Sequence, residues 1–143
     1  MKVTIGKRGD YAVRAVLDLS LHYRRERRKA RQIARAMGIP RQYLSRILAE
    51  LVRDGILVAV AGQGGGYELG RPPSKISLLE VIEATEGPLE LRTCILRNSA
   101  CRTADKCSVH DIWSKAQEAM RTRLGAATFS QIARVQALLE GSC

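Results

Sequence analysis

Aromatic residues are scarce in this sequence. One Phe, one Trp and four Tyr serve 143 residues, so a core has to be assembled from Leu, Val, Ile and Ala. Such a core is modest, and a long helix near either end could not bury both of its faces within one subunit. Histidine is rarer still. His22 and His110 are the only two, no nucleophile–base pair can be placed, and nothing in the pattern points to catalysis. No apolar run approaches the ~20 residues needed to span a bilayer, so no membrane partner is expected. The opening residues, Met1-Lys2-Val3-Thr4-Ile5-Gly6-Lys7-Arg8, lack the apolar stretch of a secretory leader, and the expected location is the cytoplasm. Cysteine is confined to Cys94, Cys101, Cys107 and Cys143. In a reducing compartment such a set argues for metal or redox chemistry rather than a disulfide framework.

Acidic residues are also in deficit, 14 against 24 Lys and Arg, for a formal net charge of +10. The excess is uneven: residues 1–73 hold 15 basic and 6 acidic side chains, residues 74–143 hold 9 and 8. A basic half joined to a near-neutral half suggests that the first meets a polyanion.

Hydrophobic periodicity places the elements. Residues 8–24 read as a helix, with Tyr11, Ala15 and Leu19 on one face and Ala12, Val16 and Tyr23 beside it. The run Arg24-Arg25-Glu26-Arg27-Arg28-Lys29 is too charged for a core and reads as a loop. A short helix from Ala30 to Met37 stops at Gly38, and Ile39-Pro40 opens a further helix over residues 40–54. There Leu44, Ile47, Leu48 and Leu51 follow i, i+3, i+4, i+7, while Gln42, Ser45, Arg46, Ala49 and Arg53 face the other way. Residues 56–61 and 66–69 read as strands joined by Gly62-Gln63-Gly64-Gly65-Gly66, a hairpin pattern. Ser77-Leu78-Leu79-Glu80 and Thr128-Phe129-Ser130-Gln131 are capping boxes that open two more helices. Between them, residues 89–108 lack periodicity. A long helix over residues 109–124 follows, with Val109, Ile112, Trp113, Ala116, Met120 and Leu124 as its apolar stripe and Gly125 as its interruption.

Helix, helix, short turn, helix, then hairpin is the order of a winged helix-turn-helix. The expected fold class is mainly α with a small β-wing, a winged helix-turn-helix followed by a long C-terminal dimerisation helix. Its expected divisions are a DNA-binding domain over 1–88, a cysteine-containing loop over 89–108, and dimerisation and terminal helices over 109–143. The second helix of such a motif lies in the major groove. Arg41, Gln42, Tyr43, Ser45 and Arg46 then face base edges, where Arg can pair with guanine and Gln with adenine. A glycine-rich loop can also cradle phosphate, but this one joins two strands, and no Lys-Ser or Lys-Thr follows it. A wing that approaches DNA through Gly64 and Gly65, with Arg71 at its end, fits better.

These stretches resemble the Rrf2 family of bacterial regulators. The matching segments are Met1-Lys2-Val3-Thr4 with Tyr11-Ala12-Val13-Arg14-Ala15, and Gly38-Ile39-Pro40-Arg41-Gln42-Tyr43-Leu44. So are Gly62-Gln63-Gly64-Gly65-Gly66-Tyr67-Glu68-Leu69 with Arg71-Pro72-Pro73, and Ile76-Ser77-Leu78-Leu79-Glu80-Val81-Ile82 with Glu86-Gly87-Pro88-Leu89. The resemblance implies a homodimer joined by the helix after the cysteine loop, acting as a repressor or activator at dyad-symmetric double-stranded DNA. Many members hold a 2Fe–2S or 4Fe–4S cluster on three cysteines, here Cys94-x6-Cys101-x5-Cys107. Four ligands are normally needed. In the iron–sulfur-biogenesis branch a histidine placed like His110 completes a 2Fe–2S site, the assignment preferred here. In the nitric-oxide-sensing branch an aspartate placed like Asp10 completes a 4Fe–4S site, the alternative. Zinc in a Cys3His site, a cluster-independent thiol switch and a small-molecule effector stay open, and Cys143 is expected to be uninvolved.

Overall fold

The computed structural model describes residues 4–89, 96 and 107–141. Its first helix, α1 (Lys7–Leu21), buries Ala12, Ala15, Val16 and Leu19. Around that face pack α2 (Ala30–Met37), α3 (Arg41–Arg53), α4 (Leu78–Glu86) and α6 (Phe129–Gly141), whereas α5 (His110–Ala126) leans on α4. Strands β1 (Leu57–Val60) and β2 (Gly66–Leu69) form an antiparallel hairpin with Leu57 opposite Leu69. Arg28 bridges to the hairpin, exchanging both backbone hydrogen bonds with Tyr67 at 2.9 and 2.7 Å. Among the described residues no helix is long and apolar enough to cross a membrane. The mainly helical fold with a small β-wing is thus the observed architecture.

Local chemistry accounts for most boundaries. Both capping boxes form: Ser77 Oγ accepts from Glu80 N at 3.1 Å, and Thr128 Oγ1 from Gln131 N at 3.3 Å. The residues ahead of α4 and α6 are stitched together, with Leu78 N donating to Ala127 O at 2.8 Å and Phe129 N to Ile76 O at 3.0 Å. This seats Phe129, fully buried, in the core.

Most ends shift by a residue or two, and two boundaries differ for a reason the structure shows. The first helix ends at Leu21 rather than 24, because His22 leaves helical geometry and its Nδ1 lies 2.8 Å from the Asp18 carbonyl oxygen. Arg24 then turns left-handed at φ +63°, its guanidinium over the Tyr23 ring. Gly125 does not interrupt the long helix, which continues to Ala126. A glycine there costs about 1 kcal/mol relative to alanine, small enough for the packing of α5 on α4, beside Leu79, to carry the helix through.

One polar pair lies inside. Asp18 is 1% exposed and receives Arg28 Nε and Nη2, both at 3.1 Å. That hydrogen bond raises the Arg28 pKa further above its ordinary value, burial acting against it. Arg28 therefore stays charged at any physiological pH and gives no pH window for loss of the pair. Because Arg28 also bridges to Tyr67 of β2, the pair ties the wing to α1. Asp18→Asn should cost about 3 kcal/mol, the scale for leaving one buried partner uncompensated. Urea unfolding of the two proteins checks this, and an unchanged midpoint would remove the pair from the account.

Candidate functional site

The α2–α3 turn follows from three residues. Gly38 caps α2 in the left-handed region at φ +64°, Ile39 is 4% exposed and pins the turn to the core, and Pro40 is the N-cap of α3. Pro40 thus stands just before the helix rather than in its first turn. With Leu44, Ile47, Leu48 and Leu51 buried at 0–2% exposure, the 3.6-residue period leaves the opposite face outward. Arg41, Gln42, Tyr43, Ser45 and Arg46 are all exposed on it.

The first turn of α1 adjoins this face, which the sequence reading missed. Tyr11 stacks on Tyr43 with ring centroids 6.4 Å apart and planes 20° apart. Arg8 pairs with Glu50 of α3. A groove of about 370 Å³ runs between the helices, lined by Lys7, Arg8, Tyr11, Gln42, Tyr43, Arg46 and Ile47. It carries three cations and no carboxylate. The available signal was the i, i+4 pair Lys7 and Tyr11, but Tyr11 had been assigned to the core face.

At the wing, Gly64 is exposed with φ +73°, whereas Gly65 is buried. A Cβ on Gly65 would stand 2.2 Å from the Val60 carbonyl oxygen, so the turn itself demands glycine there. Arg27, another cation not singled out beforehand, reaches Glu68 at 3.4 Å and the Gly64 carbonyl at 3.5 Å. Arg71 sits beyond β2, donating to the Lys75 carbonyl at 2.8 Å and to Glu80. Its guanidinium thereby fixes the start of α4.

Of the cysteine centre, Cys107 is described as a free, half-buried thiol, while Cys94, Cys101 and Cys143 lie outside the described residues. His110 begins α5; its backbone N donates to Cys107 O at 3.3 Å, and its Nε2 stands 3.4 Å from Ser114 Oγ. Asp10 accepts from Arg14 Nε at 3.0 Å. Among the described residues no three potential metal ligands converge.

An exposed polar helix held by a short turn, followed by a glycine-tipped hairpin, defines a winged helix-turn-helix DNA-binding protein. The chain belongs to the Rrf2 family, whose model, described as an iron-dependent transcriptional regulator, matches residues 5–135. It is similar to the HTH-type transcriptional regulator IscR of Xenorhabdus nematophila, 31% identical over 133 residues, covering 93% of this chain and 80% of that protein. The Klebsiella pneumoniae IscR is 31% identical over 135 residues, with 94% and 82% covered. Among solved structures, the fold is shared with the B. subtilis global cysteine regulator CymR, at a TM-score of 0.80, 20% identity and coverage of 94% and 98%. It is shared too with T. potens IscR, at 0.75, 24% identity and coverage of 95% and 90%. These relatives are transcriptional regulators, not enzymes, and the chain is accordingly an Rrf2-family transcriptional regulator that binds DNA.

Proposed function

We propose that this regulator binds dyad-symmetric promoter DNA as a homodimer, and that an iron–sulfur cluster on Cys94, Cys101 and Cys107 sets its affinity. The observation that carries the DNA contact is the exposed polar face of α3 beside a groove lined by Lys7, Arg8 and Arg46. Arg41, Gln42, Tyr43, Ser45 and Arg46 meet base edges and phosphates there. The wing adds Gly64 at its tip and Arg71 at its base, whereas Gly65, expected to approach DNA, is buried and shapes the turn instead. Lys7 and Tyr11 extend the same surface.

The described part of the cysteine centre suits a cluster chemically. Thiolates are the ordinary ligands of such centres, Cys107 is a free thiol, and His110 follows it by three residues at the start of α5. The family description as iron-dependent agrees. When bound, the cluster supplies a centre whose charge and ligation respond to redox state or nitric oxide. His110 is preferred over Asp10 as fourth ligand because the Asp10 carboxylate is already engaged by Arg14. The 2Fe–2S form goes with His110, the 4Fe–4S form with Asp10. A second reading, a thiol switch without a cluster, draws on the same free Cys107 and on the fold shared with an oxidised form of S. aureus CymR.

A second copy would cover apolar surface that one subunit leaves open. Ile112 on α5 is 69% exposed, and Val135, Leu138 and Leu139 on α6 are 55–68% exposed. A dimer would set the two α3 helices against half-sites about one DNA turn, roughly 34 Å, apart.

Three measurements test this reading. Arg41→Ala and Gln42→Ala should each weaken a selected operator by about 1–3 kcal/mol if they read bases, and fluorescence titration with unchanged affinity and sequence preference for both would remove them from the interface. Sedimentation should show a dimer at micromolar concentration that becomes a monomer when Ile112 and Met120 are both replaced by Glu; a monomeric wild type contradicts the dimer. Anaerobically purified protein should be brown, and serine at Cys94, Cys101 or Cys107 should abolish or greatly weaken the colour. His110→Ala should disturb the absorption spectrum more than Asp10→Ala, and the reverse order would transfer the fourth position to Asp10.

A further inference from the structure

We propose that Glu86 is a positioning residue for DNA recognition: it supplies the N-terminal cap that α1 lacks and thereby fixes the start of α3. The proposal rests on the DNA reading above only for its functional arm.

The first backbone N–H groups of any helix lack partners within it. In α1 the N-cap is Gly6, which has no side chain to offer, and no cap of its own forms. The missing oxygen arrives from another element. Glu86, the last residue of α4, accepts from Gly9 N with Oε1 at 2.9 Å. A carboxylate is favoured at that end of a helix by the helix dipole. Both glycines are shaped to it: a Cβ on Gly6 would stand 2.7 Å from Glu86 Oε1, and one on Gly9 would stand 2.9 Å from the same oxygen and from Cγ.

The turn so held is the one that touches α3. Arg8 pairs with Glu50, and Tyr11 stacks on Tyr43 beside Arg41 and Gln42. One turn back on α4, Glu83 Oε2 accepts from Arg121 of α5 at 3.3 Å and from Leu89 N at 3.0 Å, where the chain leaves toward the cysteines. The end of α4 therefore clasps α5 and the entry to the cysteine loop with one carboxylate, and the DNA-facing turn of α1 with another. A displacement of α5 or of that entry is delivered to α3 through Glu86. A cap that served stability alone would loosen α1 and leave α3 unchanged.

The test compares amide hydrogen exchange in the full chain for wild type, Glu86→Ala and Glu86→Gln, with titration of a selected operator and of unrelated DNA. In Glu86→Ala, the hydrogen-bonded amides of residues 9–11 and 43–44 should exchange about fivefold faster or more, the scale of one lost cap, with the strands and α6 unchanged. Operator affinity should fall by a similar factor while affinity for unrelated DNA holds. Glu86→Gln keeps an acceptor for Gly9 and should restore both readings. If Glu86→Ala does not fold, Gly6→Ala, which intrudes on the same carboxylate, should reproduce the pattern. Unchanged exchange at 43–44, a loosened α3 with full operator affinity, or a Gln variant that behaves like Ala would each overturn the proposal. A wild type that selects no DNA sequence would sink the DNA reading, and the exchange comparison would still decide whether Glu86 positions α3.

Discussion

Four side chains on α1 set the geometry of everything around them. Ala12 and Ala15, both at 0% exposure, are small enough for neighbouring backbones to approach, and Val16 and Leu19 fill the space beside them. Burial of aliphatic side chains of this size contributes about 1.5–3 kcal/mol each, and the face serves α2, α3, α4 and α6 at once. Once Leu44, Ile47, Leu48 and Leu51 are committed inward, the cationic and amide side chains of α3 have no direction left but solvent. The surface proposed to meet DNA is thus a consequence of core packing, and its charge comes from residues the core rejects.

The wing needs separate support, because a two-stranded hairpin alone is marginal in water. Arg28 provides it twice, through its backbone pairing with Tyr67 and through its side chain on buried Asp18. An isolated buried carboxylate would be strongly unfavourable; here two hydrogen bonds to one guanidinium offset that cost. The reward is specific placement more than net stability: the hairpin that carries Gly64 is held to the same helix that holds α3.

How much of this the sequence disclosed depends on range. The α3 stripe, the Gly38-Ile39-Pro40 turn and the boxes at Ser77 and Thr128 are written in residues within a turn or two of one another, and they form as read, Pro40 moving only from the first turn to the N-cap. The pairings Asp18 with Arg28, Tyr11 with Tyr43 and Glu86 with Gly9 join residues 10, 32 and 77 positions apart, and no local pattern announces them. Tyr11 fitted the period of the core face, which concealed its second contact. Gly125 read as a stop because propensity is local, while contact with Leu79 is not. Among the cysteines, the spacing was visible, yet three thiolates name no fourth ligand by themselves.

The proposed DNA-reading and sensing parts meet at the last turn of α4, and control of affinity by the cysteines is the proposal on which their joint action depends. The most direct measurement is an operator titration with anaerobically purified protein before and after removal of the cluster, at fixed salt. Kd should change about tenfold or more, within the usual span of coupling between two sites. Equal affinities in the two states would contradict the proposal.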